Sequence, residues 1–510
     1  VTVNGDIFAK STVLNNGATA SSELILADGK NITSTITTAD ANMGNLMLNG
    51  TSTVSGQVGT DSNKLANVNA GVTGKIGTFN SDVYATNLNV TGTGTVNLDG
   101  SYKGDNLTFN NDGTVILAND KNIDSIIKTD NHGTGNLELS GNSTINKVVG
   151  KDGKSLNNIT AGAAGKVSTF EDNVFALNTN VSSGEIKFEK DLTGNIIALT
   201  SNNGVVTFVG DVSGKTQNIL GNIGNINTLN IGENGTNKYV TANVNGDINA
   251  TNTVLNNGII NNSELKLTDG KDINSIVTTS NNSQGILTFL GDSIASGLIG
   301  TDTEKLAQIN AADDGKTVRF NSSLNTDNLN FIADGTIVLS DNSNINAPIT
   351  TNPNEGTLTF EGNSNVSGQV GDATNKLKEI NANGIAGKTV TFEKDVYATN
   401  TNIGVGTVNF NTVLGNTTSN IVFTNTGTAN LNGNLIGNID FKGKDAVVNV
   451  ANGKGILGSV QTLATNNTGI LNYEGNGTID GNIGSIGLGI RELNINTNNQ
   501  QNSGGTGVVV

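Results

Sequence analysis

The chain has 510 residues, a formal net charge of −16 at pH 7, 35% hydrophobic and 4% aromatic residues, 66 glycines, two prolines and no cysteine or tryptophan. The missing cysteines exclude disulfides, thiolate metal sites and thiol catalysis, and the acidic charge disfavours binding to nucleic acids or anionic membranes. The scarcity of aromatic residues argues against an ordinary globular core, yet frequent Val, Ile and Thr argue against disorder, so we expect stability from small aliphatic side chains stacked many times.

The first 30 residues contain no basic segment followed by an apolar one, and no run of about 18 apolar residues occurs in the sequence. The sequence therefore predicts neither a secretion signal nor a membrane-spanning helix within it. We expect the chain as given to be soluble, with any export signal or membrane anchor outside it.

Short segments with alternating polarity follow individual glycines along the whole chain. In the segment 95–99, Val96 and Leu98 point to one side, while Thr95 and Asn97 point to the other. A period of two residues is typical of a strand that is buried on one face only. We therefore predict that Val96 and Leu98 face a core and that Thr95 and Asn97 face water.

These segments recur about every 20 residues, as at Gly94 and Gly113 (113 − 94 = 19) and at Gly184 and Gly204 (204 − 184 = 20). Helical patterns are missing between them, which excludes βαβ units and predicts a coil of two to three strands per turn. One coil per 20 residues predicts about 25 coils stacked at the spacing of neighbouring strands. Ile116 interrupts the alternation after Gly113, and we expect the two faces to differ less there.

A longer phrase also recurs, as SGQVGTDSNKLANVNA at 55–70, NKVVGKDGKSLNNITA at 146–161, SGLIGTDTEKLAQINA at 296–311 and SGQVGDATNKLKEINA at 367–382. Shorter relatives begin at Gly221 and Gly481. The equivalent positions 56, 147, 221, 297 and 368 are separated by 91, 74, 76 and 71 residues. Duplicated modules of roughly 75 residues predict an all-β fold, a right-handed parallel β-helix (β-solenoid) over residues 1–497, followed by a flexible C-terminal linker or tail at 498–510.

Three of the four long phrases contain a Gly-x-x-Gly element, such as Gly56 to Gly59, and the phrase at 146–161 has Lys147 in place of the first glycine. The spacing of the two glycines could suggest a phosphate-binding loop. No helix capped for anions and no Lys-Ser/Thr pair follows it, so we interpret the element as a structural corner. Pairs such as Asn15-Asn16-Gly17 and Asn203-Gly204 are interpreted as further corners. There, asparagine side chains are expected to form amide ladders and to satisfy backbone groups.

Two oxygen-rich turns, Asp-Gly-Lys-Asn at 28–31 and Asp-Gly-Lys-Asp at 269–272, have ligand types that calcium prefers. They lack the spacing of an EF-hand or of a nonapeptide calcium repeat, so we predict plain turns, with weak structural calcium binding as the alternative.

His132 is the single histidine, and we expect it in an exposed turn rather than in a zinc site or a catalytic triad.

Tyr84 and Tyr397 occupy equivalent places in the repeat, where a third copy has Phe175. We expect these rings to stack inside the solenoid, with a binding pair on its surface as the alternative.

Some β-helical enzymes cleave polysaccharides with paired carboxylates, but they usually line the cleft with aromatic residues, which are scarce here. We predict that the chain is not an enzyme and has no catalytic, cofactor-binding or metal-binding residues and no cofactor.

The phrase at 55–70 and its relatives, the GTVNL and GTLTF strands, and the cysteine-free background rich in Asn, Gly and Thr resemble the passenger domains of rickettsial autotransporter surface antigens. These form the outer-membrane protein A and B family of surface cell antigens. The resemblance covers residues 1–497 and includes no catalytic motif. It implies secretion through a C-terminal barrel, retention at the bacterial surface, and roles in coating, host-cell adhesion and invasion. Neither a signal peptide nor that barrel is found in this sequence, so we expect a passenger fragment.

The first functional hypothesis is an extracellular adhesin and coat protein at the bacterial surface, attached to the outer membrane through a part outside this sequence. Its expected partners are a host-cell surface protein or neighbouring coat molecules, with lateral self-association, and neither nucleic acid nor direct insertion into a membrane. The alternative is a structural surface-layer or fibre subunit whose strand edges pair between molecules. A second alternative is a polysaccharide-binding or polysaccharide-degrading β-helix similar to a phage tailspike.

Overall fold

The computed structural model describes residues 1–14, 22–235, 237–256, 261–382, 385–416 and 418–495. Parallel strands stack in about 23 coils, and the described residues contain no helix, which confirms the predicted all-β solenoid. The chain divides into two compact units, Val1–Ser263 and Glu264–Val510. The predicted linker at 498–510 and the predicted corner at Asn15-Asn16-Gly17 lie outside the described residues.

The strands of the first unit are β1 Thr2–Val3, β2 Ser11–Leu14, β3 Glu23–Leu26, β4 Thr35–Thr38, β5 Asn45–Leu48, β6 Ser52–Val54, β7 Leu65–Ala70, β8 Ile76–Phe79, β9 Val83–Val90, β10 Thr95–Leu98, β11 Tyr102–Phe109, β12 Thr114–Leu117, β13 Lys121–Thr129, β14 Asn136–Leu139, β15 Ser143–Ile145, β16 Leu156–Ala161, β17 Val167–Phe170, β18 Val174–Val181, β19 Glu185–Phe188, β20 Leu192–Ala198, β21 Asn203–Phe208, β22 Lys215–Leu220, β23 Ile223–Ile231, β24 Val240–Val244 and β25 Ile248–Leu255.

The strands of the second unit are β26 Glu264–Leu267, β27 Ile273–Thr279, β28 Ile286–Phe289, β29 Ser293–Ala295, β30 Gln308–Ala311, β31 Thr317–Phe320, β32 Leu324–Asn325, β33 Leu329–Phe331, β34 Thr336–Leu339, β35 Ile345–Asn346, β36 Ile349–Thr350, β37 Glu355–Phe360, β38 Ser364–Val366, β39 Leu377–Ala382, β40 Thr389–Phe392, β41 Ala398–Ile403, β42 Thr407–Phe410, β43 Asn420–Phe423, β44 Thr428–Leu431, β45 Leu435–Ile436, β46 Asn438–Asp440, β47 Val447–Val450, β48 Ile456–Leu457, β49 Val460–Gln461, β50 Ile470–Tyr473 and β51 Glu492–Ile495.

The strand β10 shows how the alternation of polarity builds the stack. Val96 and Leu98 are fully buried, whereas Thr95 and Asn97 are half-buried on the outer face, as predicted. Each residue of β10 pairs in parallel register with one residue of β8 and one of β12. The next strand, β12, alternates equally well, because Ile116 occupies an outward position. The expectation that Ile116 interrupts the two-faced pattern is therefore wrong.

Each coil has three faces, and a long strand can serve two of them. One coil consists of β7, β8 and the first residues of β9, and the rest of β9 begins the next coil. β11 pairs with β13 in two stretches whose register shifts between Lys103 and Asn106, so this continuous strand turns from one face to the next. The prediction of two to three strands per coil is confirmed.

Phenylalanines at the ends of strands stack inside the solenoid. In the first unit, the ring centroids of Phe170 and Phe188 lie 5.5 Å apart, and those of Phe188 and Phe208 lie 5.6 Å apart. Stacked rings lie in both units, since Phe392 and Phe410 in the second unit are separated by 5.5 Å. Aromatic pairs at this distance stabilise a core beyond the apolar area that they bury.

Tyr84, Phe175 and Tyr397 are not part of this core. All three are half-exposed, and their neighbours on either side in the chain, such as Val83 and Ala85, are buried. The expected internal stack of these three rings is therefore wrong, because in each copy the ring occupies an outward position of its strand.

Asparagine side chains form hydrogen-bonded ladders on the outer face. In the second unit the Nδ2 of Asn430 donates to Asn409 Oδ1 (2.7 Å), Asn449 donates to Asn430 (2.8 Å), and Asn472 donates to Asn449 (2.8 Å). A similar ladder in the first unit includes Asn45, Asn67, Asn87 and Asn106. The amide ladders are present, but these two lie along the strands and not at the turns where they were expected.

Candidate functional site: the corner loops

The Gly-x-x-Gly elements are corners held between neighbouring coils, as predicted. A Cβ atom on Gly56 would lie 2.2 Å from the carbonyl oxygen of Ser34, and one on Gly59 would lie 2.2 Å from the carbonyl oxygen of Tyr84. Val58 between them pairs with one residue of the coil before and one of the coil after. Glycine is needed here because the backbones of adjacent coils approach too closely for a side chain.

Replacing Gly59 by alanine is expected to destabilise the first unit by about 2 kcal/mol more than replacing Gly74 by alanine. Both glycines have a positive φ, 67° and 69°, but a Cβ on Gly74 meets nothing within 4 Å. The cost of a left-handed backbone, about 1 kcal/mol, is common to both variants. Urea unfolding of the two variants measures the difference, and equal losses would show that the close contact with Tyr84 does not exist.

The other predicted asparagine corner lies one residue earlier than expected. Ser201 and Asn202 form the turn, with a φ of 58° at Asn202, and Asn203 is already the first residue of β21. Gly204 retains a φ of 76° within the strand. Asparagine tolerates the left-handed region better than most residues, which explains its place in this turn.

In the four long phrases a tight loop begins at the last glycine of this corner, including the phrase at 146–161, where Lys147 replaces the first glycine. These corner loops are residues 59–64, 150–155, 300–305 and 371–376. In each, a backbone N–H donates to the carbonyl three residues later, from Thr60 to Asn63 (3.1 Å), from Lys151 to Lys154 (3.1 Å), from Thr301 to Glu304 (3.1 Å) and from Asp372 to Asn375 (3.0 Å). The same backbone turn therefore recurs in four places.

Side chains close three of the four corner loops from within. Thr60 Oγ1 accepts a hydrogen bond from Asn63 N (3.0 Å), Thr301 Oγ1 accepts one from Glu304 N (2.9 Å), and Asp372 Oδ1 accepts one from Asn375 N (2.7 Å). Such bonds fix a turn without any partner from outside. The corner loops thus present a defined shape to solvent.

Each corner loop exposes an aspartate, namely Asp61, Asp152, Asp302 and Asp372. The carboxylate of Asp61 lies 2.8 Å from Lys103 Nζ, and this hydrogen bond lowers the pKa of Asp61. The pKa of Asp372 is lowered by backbone hydrogen bonds from Asn375 and Thr374. These two carboxylates therefore remain charged at neutral pH. The corner loops offer hydrogen-bonding and charged groups, which suits recognition of a polar partner surface.

A groove of about 300 Å³ adjoins the corner loop 371–376, and its lining includes Ile349, Thr350, Gln369 and Asp372. Gln369 Nε2 donates to the carbonyl of Gly371 (2.8 Å), and Gln57 makes the same bond to Gly59 in the first unit (2.8 Å). The loop and this glutamine contact are therefore repeated together in two of the four long phrases. Sequence reasoning identified the corner but missed the exposed loop beside it. In all four long phrases, an aspartate one or two positions after the glycine and a lysine four or five positions after it indicated this loop.

At the two turns for which calcium binding was the alternative prediction, the aspartates Asp28 and Asp269 contact lysines. Asp28 accepts a hydrogen bond from Thr51 N (2.7 Å) and lies 2.5 Å from Lys75 Nζ. Asp269 likewise accepts one from Asp292 N (2.8 Å) and lies 2.7 Å from Lys316 Nζ. A lysine ammonium therefore occupies the place that a cation would take beside each carboxylate. Among the described residues, no group of three or more His, Asp or Glu side chains is arranged to bind a metal ion.

The pair of Asp28 and Lys75 is expected to stabilise the fold at neutral pH but not in acid. The hydrogen bond from Lys75 lowers the pKa of Asp28 in the folded chain, below the value of about 3.9 in the unfolded chain. The stabilisation is complete above the unfolded value and is lost as the pH falls through the folded pKa. Unfolding of the wild type and of Asp28→Asn should differ at neutral pH and converge in strong acid. A difference that persists unchanged in acid would contradict the ion pair.

His132 lies in an exposed turn, as predicted, and its Nδ1 accepts a hydrogen bond from Ser155 N (3.2 Å).

A polar groove of about 410 Å³ in the first unit contains Lys187 and Glu233, whose Nζ and Oε1 atoms lie 2.8 Å apart. The hydrogen bond with Glu233 raises the pKa of Lys187. In the same groove, Thr207 Oγ1 donates to Glu185 (2.6 Å). The contact between Thr207 and Glu185 joins adjacent coils, whereas the contact between Lys187 and Glu233 spans two coils.

Comparisons with protein-family models, with curated proteins and with solved structures give no match. The described part of the chain contains no helix that could serve as a membrane span.

Proposed function

We propose that this chain is an extracellular surface protein of a bacterium that coats the cell and adheres to host cells. The observation that carries the proposal is the repetition of one exposed corner loop, at residues 59–64, 150–155, 300–305 and 371–376, on a β-solenoid. Such a scaffold is stabilised coil by coil, since the strands of each coil pair only with those of the adjacent coils. It presents the same polar loop several times, which suits adhesion to a surface or contact with other coat molecules.

The resemblance to the rickettsial autotransporter passengers supports the same proposal. Its GQVGTDSNKLANVNA phrase, which begins at Gly56, contains the corner loop 59–64. On this proposal the partners are a host-cell surface protein or neighbouring coat molecules, and the chain acts without catalysis or a cofactor. Secretion through a C-terminal barrel and location at the bacterial surface belong to the proposal as well.

Two assays with purified protein and intact bacteria test the function. We expect the purified chain to bind host cells in a saturable manner, and an antibody against the chain to block the binding and to label intact bacteria. An unrelated acidic protein of similar size controls for nonspecific attachment. Failure to bind cells, together with failure of the antibody to label intact bacteria, would contradict the proposal.

A further inference from the structure

The repeated corner loops do not all lie on one face of the solenoid. In the first unit, the corner residue Val58 pairs with Val83, which continues a column of inward residues through Tyr102, Ile123 and Ile145. Residues of one column share one face, because parallel strands stack in register. The face that holds the corner loop 59–64 is therefore the face of Ile145.

The next corner loop begins on a different face. Val149 is the residue that matches Val58 in the repeat, yet it pairs with Ile127 and Val174. Ile127 pairs with Leu107, which belongs to another column than Tyr102 although both lie in β11. The corner loop 150–155 thus follows the next face around the coil.

The second unit repeats this arrangement. Ile299, the corner residue before the loop 300–305, pairs with Leu324, and the column continues through Ile345 to Val366. Val370 precedes the loop 371–376 and pairs instead with Ile349.

In the first unit, Ile145 continues the column of Val58 and lies four positions before the second corner residue, Val149 (149 − 145 = 4). In the second unit, Val366 continues the column of Ile299 and likewise lies four positions before Val370 (370 − 366 = 4). From one corner to the next, the chain therefore completes a whole number of coils plus one further face. Successive corner loops within a unit consequently lie on different faces.

From this offset we infer that the corner loops contact neighbouring copies of this chain on more than one side. The inference rests on the proposed function as a coat protein. Loops that served one flat receptor surface would have to share a face, whereas a molecule in a coat is surrounded by its neighbours. The loops also differ in charge: 150–155 contains Lys151, Asp152 and Lys154, and 300–305 contains Asp302, Glu304 and Lys305. The net charge of the loop 150–155 is therefore positive, and that of the loop 300–305 is negative. These two loops can attract each other when they belong to different copies, whereas two uniformly acidic surfaces would repel each other.

Photo-cross-linking at single cysteines tests this inference. The chain has no cysteine, so Ser62→Cys and Asp152→Cys each introduce one exposed thiol, to which a benzophenone maleimide is attached. The control, Thr93→Cys, places the same probe at an exposed residue outside the corner loops. Concentrated purified protein and intact bacteria are then irradiated, and the products are separated by mass.

We expect both loop variants to give products at multiples of the 52.2 kDa chain. A double variant with Ser62→Cys and Asp152→Cys, labelled at both thiols, should give higher multiples than either single variant. Yields equal to those of Thr93→Cys would overturn the inference, as would products in which the chain is joined only to a different protein of the bacterial surface. Antibody labelling of the same intact bacteria distinguishes failure of the proposed surface location from failure of the proposed contacts between copies. Labelled bacteria with no chain-to-chain product would refute the neighbour contacts and leave the surface location standing.

Discussion

Replacing Val96 by aspartate is expected to lower the free energy of unfolding of the first unit by at least about 3 kcal/mol. Val96 is fully buried between Gly77 and Val115 of the adjacent coils. A carboxylate at this position has no partner of opposite charge in the aliphatic column, so it must either remain charged without solvent or take up a proton. Urea unfolding and limited proteolysis both report the loss.

The matched control is Thr95→Asp, which places the same carboxylate one residue earlier, on the outer face of the same strand. It should change the free energy of unfolding by no more than about 0.5 kcal/mol. Equal sensitivity of the two variants would show that β10 does not have one buried face and one solvated face.

Replacing Phe188 by alanine is expected to cost about 3 to 5 kcal/mol, because it removes a large buried side chain and leaves a cavity in the column. The ring lies between those of Phe170 and Phe208, so both stacking contacts are lost at once. The same substitution at Phe175 serves as the control, since that ring is half-exposed. A larger loss from Phe175→Ala than from Phe188→Ala would contradict the assignment of the inward and outward aromatic residues.

Much of the fold was predictable because the period-2 pattern and the duplicated phrases are local properties of the sequence. The alternation in 95–99 identified the buried residues correctly. The same rule would have placed Tyr84 outside, since Val83 and Ala85 on either side of it are the inward residues. The prediction of an internal stack relied on the equivalent positions of Tyr84, Phe175 and Tyr397 in the repeat. Equivalent positions have the same environment in each copy, but this environment need not be the core.

Ile116 illustrates a different limit of sequence reasoning. Its aliphatic side chain suggests a core position, but Val115 and Leu117 already occupy the inward positions of β12. The direction of a side chain in a strand is set by its register and not by its own hydrophobicity.

The faces on which the corner loops lie could not be predicted from the sequence at all. The number of residues between successive faces varies with the turn, so a module of roughly 75 residues does not reveal how many faces it contains. Only the pairings show that Ile145, and not Val149, continues the column of Val58. The site was therefore recognised as a repeated corner, but its position around the solenoid required the structure.

The most direct test of the account measures the distance between spin labels on one outer face of the first unit. Thr95 is joined to Asn178 by register pairs through Thr114, Asn136 and Asn158. Four steps at the spacing of adjacent strands place labels at these two positions about 19 Å apart, although 83 residues separate them in sequence (178 − 95 = 83). Moving the second label to Asn195, the next residue in the column, should lengthen the distance by only about 5 Å. Two narrow distributions with this difference are the predicted result, whereas broad distributions centred near about 50 Å, as a flexible chain of this separation would give, would contradict the stacked solenoid.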